Sequence, residues 1–163
     1  MTRFSASTDN EAVVPADRKD IWTVLTDPDA LTDLTPMLDG IDADGDLWTW
    51  HLKRISALGV GITPSFTERM HFEKGRRIDY THEPPKDVTE RTGARGCYEM
   101  SDAAGGTRLK ISLTLTVDLP LPRAAAPAVR KVMTRMMRRT GDEFSANLYA
   151  RLGIAEKYER VSV

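Results

Sequence analysis

The chain has 163 residues, 40% of them hydrophobic, with a formal net charge of -1 and a pI of about 6.3. That is enough for one domain with a real core, and the charge balance gives no global sign of a nucleic-acid partner. Cys97 is the sole cysteine, which excludes an internal disulfide and a cysteine-based zinc site; no run approaches the ~18 apolar residues of a membrane span or the apolar core of a signal peptide, so a cytoplasmic protein is expected.

In chain order, Phe4 to Val14 reads as a strand that ends at Pro15-Ala16-Asp17. Asp17 is placed to cap a short helix through Ile21, Trp22, Val24 and Leu25, with Asp20 in its first turn. Asp27-Pro28 is a second start signal, an N-cap followed by a proline at the first helical position. It opens a helix through Ala30, Leu31 and Leu34, which Pro36 closes.

Strands dominate from Met37 onward. Ile41 to Ala43 is short, and Asp44-Gly45-Asp46 turns the chain. Leu47 to Ile55 alternates Trp48, Trp50 and Leu52 against Thr49, His51 and Lys53. Ser56 to Gly61 reads as a loop carrying two apolar residues, Leu58 and Val60. Phe66, Met70 and Phe72 share one face of the next strand, and Ile78 and Tyr80 alternate in the one after, up to Pro84-Pro85. A less regular strand over Glu90 to Met100 points Tyr98 and Met100 inward. Gly93 and Gly96 within it mark a bulge, a bend, or a close approach to the backbone. The clearest strand alternates Leu109, Ile111, Leu113, Leu115, Val117 and Leu119 with polar residues, so one face is buried and one solvated, as in an antiparallel sheet.

Pro127 to Leu152 reads as one long helix, stopped at Gly153. At about 1.5 Å per residue it spans roughly 39 Å, enough to cross a small domain. Its apolar stripe is Val129, Val132, Met133, Met136, Met137, Phe144 and Leu148. Thr140 and Asn147 fall within that stripe, Asn147 as a candidate for the mouth of a cavity, and Gly141 could permit a bend. Lys131, Arg135, Arg138 and Arg139 project to the other side, while Asp17 to Asp46 makes the first third acidic. These charged surfaces can attract each other or a neighbouring subunit, which leaves a homodimer open.

Strand, two short helices, about six strands and a long helix need a single cover for the sheet, and only the last helix is long enough. With Val14-Pro15-Ala16-Asp17, Ile21-Trp22 and Thr26-Asp27-Pro28, this order resembles the START-like (SRPBCC, helix-grip) superfamily, in its polyketide cyclase and lipid-transport branch. The resemblance implies an α+β fold over residues 1–155, with a tail over 156–163. It further implies a curved antiparallel sheet of about seven strands wrapped around the C-terminal helix, with a cavity between them for an apolar or amphipathic small molecule.

The expected cavity lining is Trp50, Phe66, Glu68, Met70, Tyr80, His82, Tyr98, Leu113, Met133, Met137, Thr140 and Phe144, with Leu58, Val60 and Pro84 near its mouth. Alternation sends Glu68 and His82 inward. A hairpin turning near Lys74-Gly75 with a three-residue loop, or one a residue different at each strand, keeps Phe72, Met70, Ile78 and Tyr80 together and sets Glu68 either directly opposite His82 or one diagonal step away. They are the candidates for a polar end of the cavity, and for acid–base residues should the protein be an aromatase/cyclase-like enzyme. A partner-binding domain using the basic helix face is the third reading. His51 and His71 fall on the outer face, Cys97 at the outer face or a bulge. No nucleophile elbow, phosphate loop, dinucleotide fingerprint or histidine metal motif is present, so no metal or cofactor is expected.

Overall fold

A computed structural model of the protein describes residues 1–155; the tail expected over 156–163 lies outside the described residues. The chain runs β1 (Thr2–Val14), α1 (Arg18–Leu25), α2 (Pro28–Leu34), β2 (Leu38–Asp44), β3 (Leu47–Leu52), β4 (Ile55–Ala57), β5 (Val60–Ile62), β6 (Ser65–Glu73), β7 (Arg77–His82), β8 (Thr92–Ala103) and β9 (Gly106–Leu119), and ends in α3 (Ala126–Arg151). Seven strands form one antiparallel sheet in the order β1-β9-β8-β7-β6-β3-β2. The expected loop over Ser56 to Gly61 is instead a small hairpin, β4 with β5. Leu58 and Gly59, at φ 54° and 74°, make its two-residue turn.

Local chemistry sets the helix ends. The Asp27 side chain accepts from the Asp29 N–H at the start of α2, with Pro28 in the first turn. Asp17 occupies the cap position of α1 with extended backbone but makes no side-chain bond there. At the end of α3, Gly153 at φ 71° lets its own N–H reach the Ala150 carbonyl and the Ile154 N–H reach that of Tyr149. This pair of bonds satisfies carbonyls the helix leaves open, and Ile154 packs back on the core. The helix runs unbroken through Thr140 and Gly141.

The core lies between the inner face of the sheet and the three helices. One cluster joins Ile21, Leu25 and Leu31 of the short helices to Trp48, Met70, Ile78 and Met100 of the sheet and Tyr149 of α3. A second joins Phe4, Val117 and Leu119 to Val129 near the start of α3. Ile78 has no exposed surface, and truncating such a residue costs about 2–5 kcal/mol. The β9 alternation holds, with Leu109 and Val117 buried while the Thr114 hydroxyl bonds Ser7 on the outer face.

Asn147 belongs to this packing and not to a cavity mouth. Its amide donates to the Leu34 carbonyl at 2.9 Å. That carbonyl closes α2 and has no helical partner of its own, so the polar residue in the apolar stripe ties α3 to α2.

Candidate functional site

Between the sheet and the second half of α3 lies a chamber of about 260 Å³. From the sheet, Trp50, Phe66, Glu68, Tyr80, Tyr98 and Leu113 line it, and from α3, Met137, Thr140 and Phe144. Met133 lies one turn further along and lines a second, smaller chamber of about 120 Å³ with Leu58 and Val60. The two chambers share Leu52, Ile55, Phe66, Leu115 and Met136 in their linings.

Two expected lining residues stand elsewhere. Met70 is on the inner face but packed solid beneath the short helices with Trp48 and Ile78. Alternation gives its side of the sheet, and the position of α1 and α2 decides that this end is filled. His82 is the second correction. The β6–β7 hairpin has the three-residue loop Lys74-Gly75-Arg76, and Glu68 is directly opposite His82 in register. The β7–β8 pairing ends earlier, at Tyr80 with Gly96, so on that side His82 has no ladder partner. The imidazole lies over Gly93, where an added methyl would stand 2.5 Å from Nδ1. Its Nε2 is 2.9 Å from Glu90 Oε1.

Glu90 holds that corner together. Its carboxylate also accepts from the Thr67 N–H and the Thr67 hydroxyl, both at 2.8 Å, and Thr49 donates to Thr67 in turn. The result is a clamp from the β7–β8 connection onto β6, separate from the chamber. Pro84, expected near the mouth, is exposed in that connection.

Gly96 solves a different packing problem. A methyl group there would lie 1.9 Å from the Ser112 carbonyl oxygen and 2.7 Å from the Tyr80 hydroxyl. The missing side chain lets Tyr80 cross β8 and donate to Ser112 at 2.9 Å. Its ring then sits 5.5 Å from that of Tyr98, an aromatic wall for the chamber.

Glu68 is the chamber's chemically distinctive residue. It is 2% exposed and burial pushes its carboxyl from 4.5 up to about 8, a shift the nearby Trp50 indole only partly opposes. The indole does not reach hydrogen-bond geometry, and both Trp50 Nε1 and Glu68 Oε2 are buried without a partner. The Tyr98 hydroxyl is also pushed up, first by burial and then by the Glu68 charge.

Several lining residues escaped the sequence reading: Thr8 and Asn10 of β1, Met37, Gly141 and Ser145. Thr8 and Asn10 share a face with Phe4, Ala6 and Val14, and polar residues at inward positions of an edge strand were the available signal. On the outer side, His51 bonds Asp42 and Ser65, and Cys97 is half-buried. On the basic helix face, Arg139 pairs with Glu143. Among the described residues no three acidic, histidine or cysteine groups gather to hold a metal, and no helix is long and apolar enough to cross a membrane.

An antiparallel sheet gripping a long terminal helix around an apolar chamber defines a START-like, helix-grip protein. A sequence profile of the polyketide cyclase/dehydrase and lipid transport family matches residues 1–148, and the chain belongs to that family. No curated protein sequence matches it. Among solved structures, a Thermus thermophilus protein is similar with a TM-score of 0.66 at 14% identity, covering 90% of this chain and 96% of that one. A START superfamily protein of Mycobacterium smegmatis is similar at 0.63 and 15%, covering 90% and 97%. An aromatase/cyclase from a Streptomyces species reaches 0.64 at 14%, covering 91% and 94%. At such identities these likenesses speak for the fold alone.

Proposed function

We propose that this protein binds an apolar or amphipathic small molecule in the chamber between its sheet and α3, for transport or sensing. The observation that carries the reading is space: about 260 Å³ bounded mainly by apolar and aromatic side chains. Ordinary interiors leave few voids larger than a water molecule. Scaled from a 150 Å³ cavity that holds one benzene, the chamber takes roughly ten heavy atoms. Native mass spectrometry of freshly purified protein should find a retained small molecule. Met137→Trp should weaken uptake of an environment-sensitive apolar dye while circular dichroism stays unchanged. A folded variant that binds the dye as the parent does would refute a ligand chamber at this place.

The Glu68 carboxyl favours a second reading, an aromatase/cyclase-like enzyme. An acid whose ionisation is centred at about 8 is mostly protonated near neutrality and can give up or take back a proton beside a bound chain. Turnover of a polyketide-like test substrate that disappears in Glu68→Gln would establish it.

A further inference from the structure

The chamber's wall carries an unmet demand for hydrogen bonds. Trp50 Nε1 and Glu68 Oε2 are the only buried side-chain nitrogen and oxygen atoms among the described residues that lack a partner. Native structures rarely leave such groups unsatisfied without a reason. The two belong together. Trp50 pairs with Phe66 and Trp48 with Glu68 across β3 and β6, so Trp50 and Glu68 are diagonal neighbours on the inner face.

We infer that the ligand carries a neutral oxygen, hydroxyl or carbonyl, which hydrogen-bonds Trp50 and Glu68 together, with its apolar remainder lying along α3 toward the second chamber. The inference rests on the binding reading above and adds the ligand's chemistry and orientation to it.

The donor inventory narrows the choice. An indole N–H can only donate, so the group that serves it must accept. An ammonium accepts nothing; it would engage the carboxyl and leave Nε1 orphaned. A ligand carboxylate would bring a second acid against Glu68 in a site that already disfavours one charge. A hydroxyl accepts from the indole and donates to the carboxyl. A carbonyl accepts from the indole with one lone pair and from the protonated carboxyl with the other. Glu68 is held mostly protonated near neutrality, which suits a neutral partner.

The orientation follows from where polarity stops. The second chamber is lined by residues such as Val60, Ile62, Leu119, Val129 and Met133, and neither Trp50 nor Glu68 reaches it. From Val129 to Tyr149 is about 30 Å of helix axis at ~1.5 Å per residue. Both chambers together take roughly fifteen heavy atoms on the benzene scale. A molecule of that size with one oxygen end matches this division of the wall.

The test uses four rigid probes of similar size: naphthalene, naphthol, naphthoate and naphthylmethylamine, titrated calorimetrically against the whole protein. Naphthol should bind about tenfold tighter than naphthalene, the ratio one well-made buried hydrogen bond gives, and tighter than both charged probes. In Glu68→Leu that preference should vanish while naphthalene still binds. In Glu68→Gln, which keeps a donor and an acceptor at the same place, most of it should remain. Equal binding of naphthol and naphthalene overturns the inference, as does a preference for the amine or one that survives Glu68→Leu. If naphthalene binds and Met137→Trp blocks it, the binding reading stands even then. If no probe binds the parent protein, the binding reading itself fails and takes this inference with it.

Discussion

Replacing Glu68 by glutamine should remove a pH dependence of stability that the parent protein carries. The carboxyl is 2% exposed and its ionisation is raised by burial from 4.5 to about 8. A raised folded-state pKa means that the folded chain holds a proton which the unfolded chain releases between those values. Stability is therefore full below about pH 4.5, falls as the pH rises, and flattens above about 8. At about 1.4 kcal/mol per pH unit the whole fall is roughly 5 kcal/mol. Domains of this kind hold only about 5–15 kcal/mol in total, so this one group should move the optimum of stability to the acid side. Urea unfolding from about pH 5 to about pH 9 measures it, read as the parent minus Glu68→Gln, which cancels every other titrating group. The difference should decline by several kcal/mol across the window. Two curves parallel within about 1 kcal/mol would mean that water or relaxation already hydrates Glu68, and the argument from burial would be wrong.

Gly141→Ala should raise stability by about 1 kcal/mol and the thermal midpoint by about 2–4 °C, because among the described residues nothing beyond its own stretch of helix lies within 4 Å of the added methyl. A lowered midpoint would instead identify Gly141 as a required bend. Asn147→Ala should cost about 1–3 kcal/mol in denaturant unfolding, since it strips the Leu34 carbonyl of its partner; an unchanged midpoint would show that water replaces the amide. Glu90→Ala should release the clamp on β6, and hydrogen exchange at the Thr67 amide should speed up while that at Ile78 does not. Equal protection of Thr67 in both proteins would show that its amide does not depend on Glu90.

Much of this fold was legible because its signals repeat. The six alternating apolar residues of β9 have one arrangement that buries them all, and Asp27-Pro28 carries its helix start in two adjacent residues. The β4–β5 hairpin was not legible: three residues per strand offer too little period to separate from a loop, and Leu58 at positive φ hides the turn. At the chamber, alternation assigned Trp50, Phe66, Glu68, Tyr80 and Tyr98 to the inner face. It failed at His82, which is still paired to β6 but lies past the last β7–β8 pair, where its imidazole bonds Glu90 of the following connection. It placed Met70 on the correct side but could not tell a filled end of that side from an empty one, which depends on where α1 and α2 lie. Gly96 could be read as a close approach; that a tyrosine makes the approach needed the register.

The pairing of β1 with β9 also bears on how the chain is made. Val14 meets Thr107 and Thr2 meets Leu119, so β1, made before the other strands of this sheet, has no neighbour until β9 has followed. At about 5–20 residues per second, the ~100 residues between them take about 5–20 s to synthesise. Through that interval the apolar side of β1 stays bare, and α3, the cover for the whole sheet, is later still. Sheets closed by such distant pairs fold in milliseconds to seconds once complete. In the cell, synthesis and not folding sets the time during which this protein is open to aggregation and to chaperones.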